Sequence, residues 1–165
     1  MQNVASSISK QSIVTATRLL DASLKQYFDL PKPRIAIAGL NPHAGENGNI
    51  GCEDQDIIQP AITELQQSGL NASGPHPADT LFHEDARKSY DAVLGMYHDQ
   101  VLIPLKTLHL YDGVNITLGL DFIRTSPDHG TGLDIAGSGT ARPDSLIAAI
   151  NIARKMAHVS MANTP

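Results

Sequence analysis

The chain has 165 residues, of which 41% are hydrophobic and 18% charged, and it carries a net charge of -5. Such a chain can bury the core of one soluble domain, and nothing in its composition suggests disorder. Its 12 basic residues are scattered and outnumbered by 17 acidic ones, which argues against a nucleic-acid surface. No apolar run approaches the ~20 residues needed to span a bilayer, and the polar stretch Met1–Ser12 has no signal-peptide core, so a cytoplasmic setting is expected. The single cysteine, Cys52, has no internal disulfide partner and reads as incidental.

Between Lys10 and Phe28, apolar residues at Ile13, Leu20, Leu24 and Phe28 predict an amphipathic helix with Ser9 as its cap, ended by Pro31 and Pro33. Arg34-Ile35-Ala36-Ile37-Ala38 is short and nearly all apolar, as for a strand buried on both faces of a parallel sheet. A Gly/Pro turn follows from Gly39. Ile57, Ile58, Ala61, Ile62 and Leu65 predict a second helix stopped by Gly69, with Pro60 in its first turn or kinking it. Asp91–Gly95 and Val114–Leu118 are further strand candidates, and Leu146–Met156 is a helix with Pro143 and Asp144 near its start. Strands alternating with helices predict an α/β fold, in which ligands collect beyond the carboxyl ends of the strands.

Three polar blocks fall at such ends or in the loops beyond: Gly39-Leu-Asn-Pro-His-Ala-Gly-Glu46, Met96-Tyr-His-Asp-Gln100 and Thr125-Ser-Pro-Asp-His-Gly-Thr131. His43 and His98 each follow a strand and each has a carboxylate nearby, Glu46 and Asp99, which makes a reasonable start on a divalent-metal site. Arg124 follows the apolar pair Phe122-Ile123, where an unpaired charge is costly, and Asp79 sits beside two prolines where it could orient a ligand or accept a proton. There is no Gly-x-Gly-x-x-Gly opening a helix after a strand, so a Rossmann dinucleotide site is not supported.

These blocks, with Pro75-His-Pro-Ala-Asp-Thr-Leu-Phe82 and Val114-Asn-Ile-Thr-Leu-Gly-Leu-Asp-Phe-Ile-Arg-Thr125, resemble the 4-hydroxythreonine-4-phosphate dehydrogenase family of vitamin B6 synthesis. The chain is similar to the C-terminal half of those proteins. The resemblance implies a fold like that of isocitrate and isopropylmalate dehydrogenases, a three-layer sheet with flanking helices incomplete at its N-terminal side. Residues 1–106 would belong to a central dimerisation and metal-ligand domain, and 107–165 to the returning part of an NAD-binding terminal domain.

The same resemblance implies NAD-dependent oxidation of 4-(phosphooxy)-L-threonine with a divalent metal (zinc, magnesium or cobalt), in a homodimer whose interface builds the site. It makes His43 and His98 metal ligands, with the family's third ligand upstream of Met1. Lys106, Asn115 and Arg124 would bind the phosphorylated substrate, and Asp79 and Asp99 are the candidate catalytic carboxylates. The segment from Asp128 to Gly137 resembles the adenosine-lining segment of isopropylmalate dehydrogenases, which implies cofactor contact by His129, Gly130, Thr131 and Asp134. His76, Asn49 and Asp121 stand where the family commonly has leucine, histidine and proline, which leaves phosphorylated four-carbon sugar acids open as substrates. A non-catalytic fragment that keeps dimerisation and phosphate binding is the alternative.

Overall fold

A computed structural model describes residues 3–162. The first helical turn, α1 (Val4–Ser7), leads into α2 (Lys10–Phe28), where Ser9 Oγ accepts a hydrogen bond from the Ser12 amide and Ser12 Oγ accepts one from the Ser9 amide. That reciprocal pair satisfies two of the amide donors a helix start leaves open. The helix ends at Asp29, whose backbone is left-handed (φ 56°), ahead of the two prolines.

Strand β1 (Arg34–Ala38) is the centre of a three-stranded parallel sheet, with β2 (Asn71–His76) on one side and β3 (Ala92–Leu94) on the other. Side chains alternate across a strand, so β1 divides into two faces. Ile35 and Ile37 meet Ile13 and Val14 of α2, and Ile58, Ala61, Ile62 and Leu65 on the next helical segment. Ala36 and Ala38 face the other way and pack on Leu81, Phe82, Tyr90 and Val93. Both faces of β1 are therefore covered, as a nearly continuous apolar strand requires. This is the α/β arrangement, a parallel sheet with flanking helices, that the alternation of elements predicts.

The second helix starts earlier than its apolar pattern suggests. A π-helical turn over Asp54–Ile58 runs into α3 (Gln59–Gln67), and Pro60 stands just past the point where the π turn gives way to α-helix. Two short turns, α4 (Ala78–Leu81) and α5 (Glu84–Arg87), join β2 to β3. Arg34 and Asp91 lock the start of β1 to the residue before β3: the guanidinium makes contacts of 3.1 and 2.8 Å to the two carboxylate oxygens, and each backbone amide donates to the other residue.

After β3, α6 (His98–His109) runs to a hairpin of β4 (Val114–Thr117) and β5 (Arg124–Pro127), and the chain finishes in α7 (Asp144–Ala162). The hairpin packs on α7, with Thr125 donating to the Ala149 carbonyl (3.0 Å) and buried Ser145 donating to that of Gly113 (3.0 Å); α7 in turn packs on α2. Among the described residues no helix is long and apolar enough to cross a membrane.

Candidate active site

Parallel strands deliver their carboxyl ends to one edge, and the order β2-β1-β3 puts three loops side by side there. The loop after β2 carries Asp79 in the first turn of α4, the loop after β1 carries His43, and the loop after β3 carries Tyr97 and His98 at the start of α6. Leu40, Asn41, Pro42, His43, Ala78, Asp79, Tyr97 and Gln100 line a cavity of about 270 Å³ between them. His98 lines a neighbouring, larger cavity of about 960 Å³ that shares Tyr97 and is bordered by α1 and the start of α2. Asp99 is exposed in the first turn of α6. The described residues include no cluster of three or more His, Cys, Asp or Glu side chains able to hold a metal, so neither Asp79 nor Asp99 closes a shell around the two histidines within this chain.

The His43 loop is not an ordinary turn. His43, Ala44, Gly45, Glu46 and Asn47 all have positive φ, between 43° and 81°. For a residue with a Cβ the left-handed region costs about 1–2 kcal/mol, so a run of this kind persists only where its surroundings hold it. The restraint comes from Asp54, 1% exposed, whose carboxylate accepts from the Leu40 amide (2.8 Å), the Asn41 amide (3.1 Å) and Asn41 Nδ2 (3.0 Å). Asn41 Nδ2 also donates to Glu53 (2.8 Å), and that hydrogen bond is the main reason the Glu53 carboxyl is held below the usual range. Gly39 donates its amide to the His76 carbonyl (2.8 Å), and its carbonyl accepts from Gln100 Nε2 (2.7 Å). Burial pushes the His76 imidazole below its ordinary pKa, and its Nε2 lies 2.9 Å from Ser73 Oγ.

The hairpin collects the other set. Asn115 pairs with Ser126 and Thr117 with Arg124, so Asn115 and Arg124 share one face as diagonal neighbours. Arg124 donates to Thr117 Oγ1 at 2.7 Å. Lys106, on α6, donates to the Asp128 carbonyl at 2.8 Å and has the Asp128 carboxylate at 3.5 Å, which ties α6 to the end of β5. Beyond β5, His129, Gly130 and Thr131 line a third cavity of about 730 Å³, together with Tyr111, Gly137 and Arg142. The Arg142 guanidinium stacks 3.8 Å from the centre of the Tyr111 ring. Asp134 lies in a short 3-10 turn (Leu133–Ile135) and is exposed outside that lining.

Three residues that the sequence did not single out bear on the site: Asp54, Gln100 and Tyr97. Asp54 had a legible signal, because it precedes Ile58, Ala61, Ile62 and Leu65 at helical spacing and so puts a carboxylate on the buried stripe. Gln100 and Tyr97 lie inside the histidine block, and nothing but the fold tells their roles apart.

The family model for the pyridoxal phosphate biosynthetic protein PdxA matches residues 1–153. A 4-hydroxythreonine-4-phosphate dehydrogenase of Bradyrhizobium diazoefficiens is 55% identical over 95% of this chain and 46% of its own length. A crystal structure of 4-hydroxythreonine-4-phosphate dehydrogenase from Klebsiella pneumoniae superposes with a TM-score of 0.81 at 45% identity, over 97% of this chain and 47% of that one. A terephthalate 1,2-cis-dihydrodiol dehydrogenase from Burkholderia xenovorans shares the fold at a TM-score of 0.74 and 30% identity, over 94% of this chain and 49% of that one. The chain thus spans about half the length of the curated relatives it matches. With the family model matching nearly the whole chain and a relative at 55% identity, the chain belongs to the PdxA family of pyridoxal phosphate biosynthesis proteins.

Proposed function

We propose that the chain takes part in NAD-dependent oxidation of 4-(phosphooxy)-L-threonine to its 3-oxo acid, which loses carbon dioxide to give 3-amino-2-oxopropyl phosphate. The observation that carries this reading is the meeting of the Asp79, His43 and His98 loops at one edge of the sheet, in a family whose relatives bear that dehydrogenase name. The oxidised carbon gives a hydride to NAD and its hydroxyl gives up a proton. The resulting ketone then accepts the electron pair left by the departing carboxylate.

Imidazoles suit a divalent cation, and His43 and His98 would hold it, with further ligands supplied from outside the described residues. Bound there, the cation supplies Lewis acidity toward the substrate hydroxyl. Asp79, on the same cavity as His43, and Asp99, next to His98 in the chain, would orient that hydroxyl or take its proton. Asn115, Arg124 and Lys106 would hold the phosphate and carboxylate, since an amide, a planar guanidinium and an ammonium offer complementary donors to those groups. His129, Gly130 and Thr131 would contact NAD in the third cavity, with Asp134 close by. In this reading residues 1–106 form the central unit and 107–165 the cofactor-side unit.

Dimerisation is supported by exposed apolar side chains on α6, the hairpin and α7, among them Ile103 (65% exposed), Phe122 (64%) and Ile150 (59%). A second reading, a non-catalytic unit that keeps dimerisation and phosphate binding, is favoured by the open metal shell. NADH formation from 4-(phosphooxy)-L-threonine and NAD, with and without added zinc or magnesium, separates the two. Metal-dependent turnover is expected; none from a cooperatively folded sample favours the second reading. Turnover only with phosphorylated four-carbon sugar acids would move the substrate, not the reaction.

A further inference from the structure

We infer that Gln100 is a positioning residue that sets the His43 loop against the His98 helix; the inference rests on the reading of those two histidines as the metal pair. Gln100 is 8% exposed, and both ends of its amide are used. Nε2 donates to the Gly39 carbonyl at 2.7 Å and Oε1 accepts from the Met96 amide at 2.7 Å. Only one orientation of the amide is possible, because a flip would set oxygen against oxygen and N–H against N–H.

The two bonds reach opposite parts of the site. Gly39 opens the loop that carries His43, and Met96 closes the approach to His98. Gln100 itself stands two residues beyond His98, on the wall of the cavity that holds His43 and Asp79. Gly39 also donates its amide to the His76 carbonyl, so the ends of β2, β1 and β3 are joined through this one residue and Gln100. The hydrogen bonds of Gln100 go to Gly39 and Met96 rather than to an imidazole, and through them its side chain ties the loop of one histidine to the helix of the other. A buried glutamine with one bond unmade would cost more than an apolar residue of its size, so the complete bridge defines a single separation of the two turns.

The test uses Co²⁺ alone as the probe, followed by its visible d–d absorption. Gln100→Met keeps the length of the side chain and removes both hydrogen bonds; Gln100→Glu keeps the acceptor for Met96 but sets an oxygen against the Gly39 carbonyl. Both variants should bind Co²⁺ about 10–100-fold more weakly, the range found when groups supporting metal ligands are removed, with a changed d–d spectrum and cooperative unfolding retained. His43→Ala serves as the reference and should abolish binding. Wild-type affinity and spectrum in Gln100→Met, with binding lost in His43→Ala, would overturn the role of Gln100 and leave the metal pair standing. Undiminished binding in His43→Ala would overturn the metal pair and this inference with it. Should Gln100→Met fail to fold, Gln100→Asn, which keeps an amide but is one methylene short of the bridge, carries the same two outcomes.

Discussion

Asp54 grips Asn41 twice, accepting its backbone amide at 3.1 Å and its side-chain amide at 3.0 Å through the same oxygen, while the other oxygen accepts the Leu40 amide at 2.8 Å. Among the described residues no cation pairs with this carboxylate, and the N–H donors that hold it belong to the residues that lead into the left-handed run. Asp54→Asn would present an NH₂ group to amides that can only donate. The expected cost is about 1–3 kcal/mol, the penalty for leaving buried donors unsatisfied, read as a lower urea midpoint with an unchanged slope. An unchanged midpoint would mean that the loop does not depend on this carboxylate.

Arg34 and Asp91 make the corresponding lock at the opposite edge of the sheet. Hydrogen bonding from the Arg34 guanidinium, helped by the Arg34 amide, holds the Asp91 carboxyl below its ordinary value of 3.8. A carboxyl whose folded pKa is depressed stabilises the fold above its unfolded pKa, and that contribution is lost as the pH falls through the folded value. Melting temperatures recorded from pH 7 downward should therefore fall more steeply below about pH 4 in the wild type than in Asp91→Asn, which should already melt lower at pH 7. Parallel curves for the two proteins would refute the linkage.

His76 works in the other direction. Its pKa is lowered from 6.5 by burial, so the unfolded chain takes up a proton before the folded one does. Stability should be level above the unfolded value and decline as the pH falls from 6.5 toward the folded value. The difference in unfolding free energy between the wild type and His76→Leu isolates this residue from the other histidines. The prediction fails if that difference is constant between pH 8 and 5.

Much of this fold could be read from local pattern. Ser9, the spacing of Ile13 to Phe28 and the run Ile35 to Ala38 each carry their own signal, and α2 and β1 lie where those signals put them. Strand β2 had none: Asn71 to His76 is polar, with Gly74 and Pro75 inside it, and it is a strand because β1 offers it an edge. Around Lys106 the sequence reads as helical, as α6 is, but Pro104 in its interior obscured where that helix starts; β5 was hidden because Arg124 to Pro127 does not alternate apolar with polar residues. The site divides in the same way. Motifs locate His43, His98, Asp79 and Arg124, whereas the left-handed backbone at His43 and the supports from Asp54 and Gln100 depend on contacts between residues far apart in the chain.

On the hairpin, Asn115 and Arg124 lie on one face, and Arg124, exposed, spends one of its five N–H donors on Thr117. If that face holds the phosphorylated substrate, Arg124→Ala removes charge-assisted hydrogen bonds worth about 2 kcal/mol, which is roughly a 30-fold rise in KM. The rise should come with a smaller change in kcat, because the group binds a part of the substrate that does not react. An unchanged KM in a folded Arg124→Ala protein would remove this residue from the substrate site.

Gly39 draws these elements together, and its role is steric. A Cβ built there would lie 2.7 Å from Asp54 Oδ1 and 3.1 Å from the Ala44 Cα. A free carboxylate could swing away from the first contact, but Asp54 is buried and held by the amides it caps; the second is backbone within the left-handed run. Gly39→Ala must therefore push the loop away from Asp54 or the β1 end away from Gln100, and overpacking of this kind costs about 1–3 kcal/mol. Combined with Asp54→Ala, which empties the space the methyl would need, Gly39→Ala should cost distinctly less than it does alone. Urea unfolding of the two single variants and the double variant measures this coupling, and strict additivity would show that the Gly39 turn and the Asp54 carboxylate do not bear on one another.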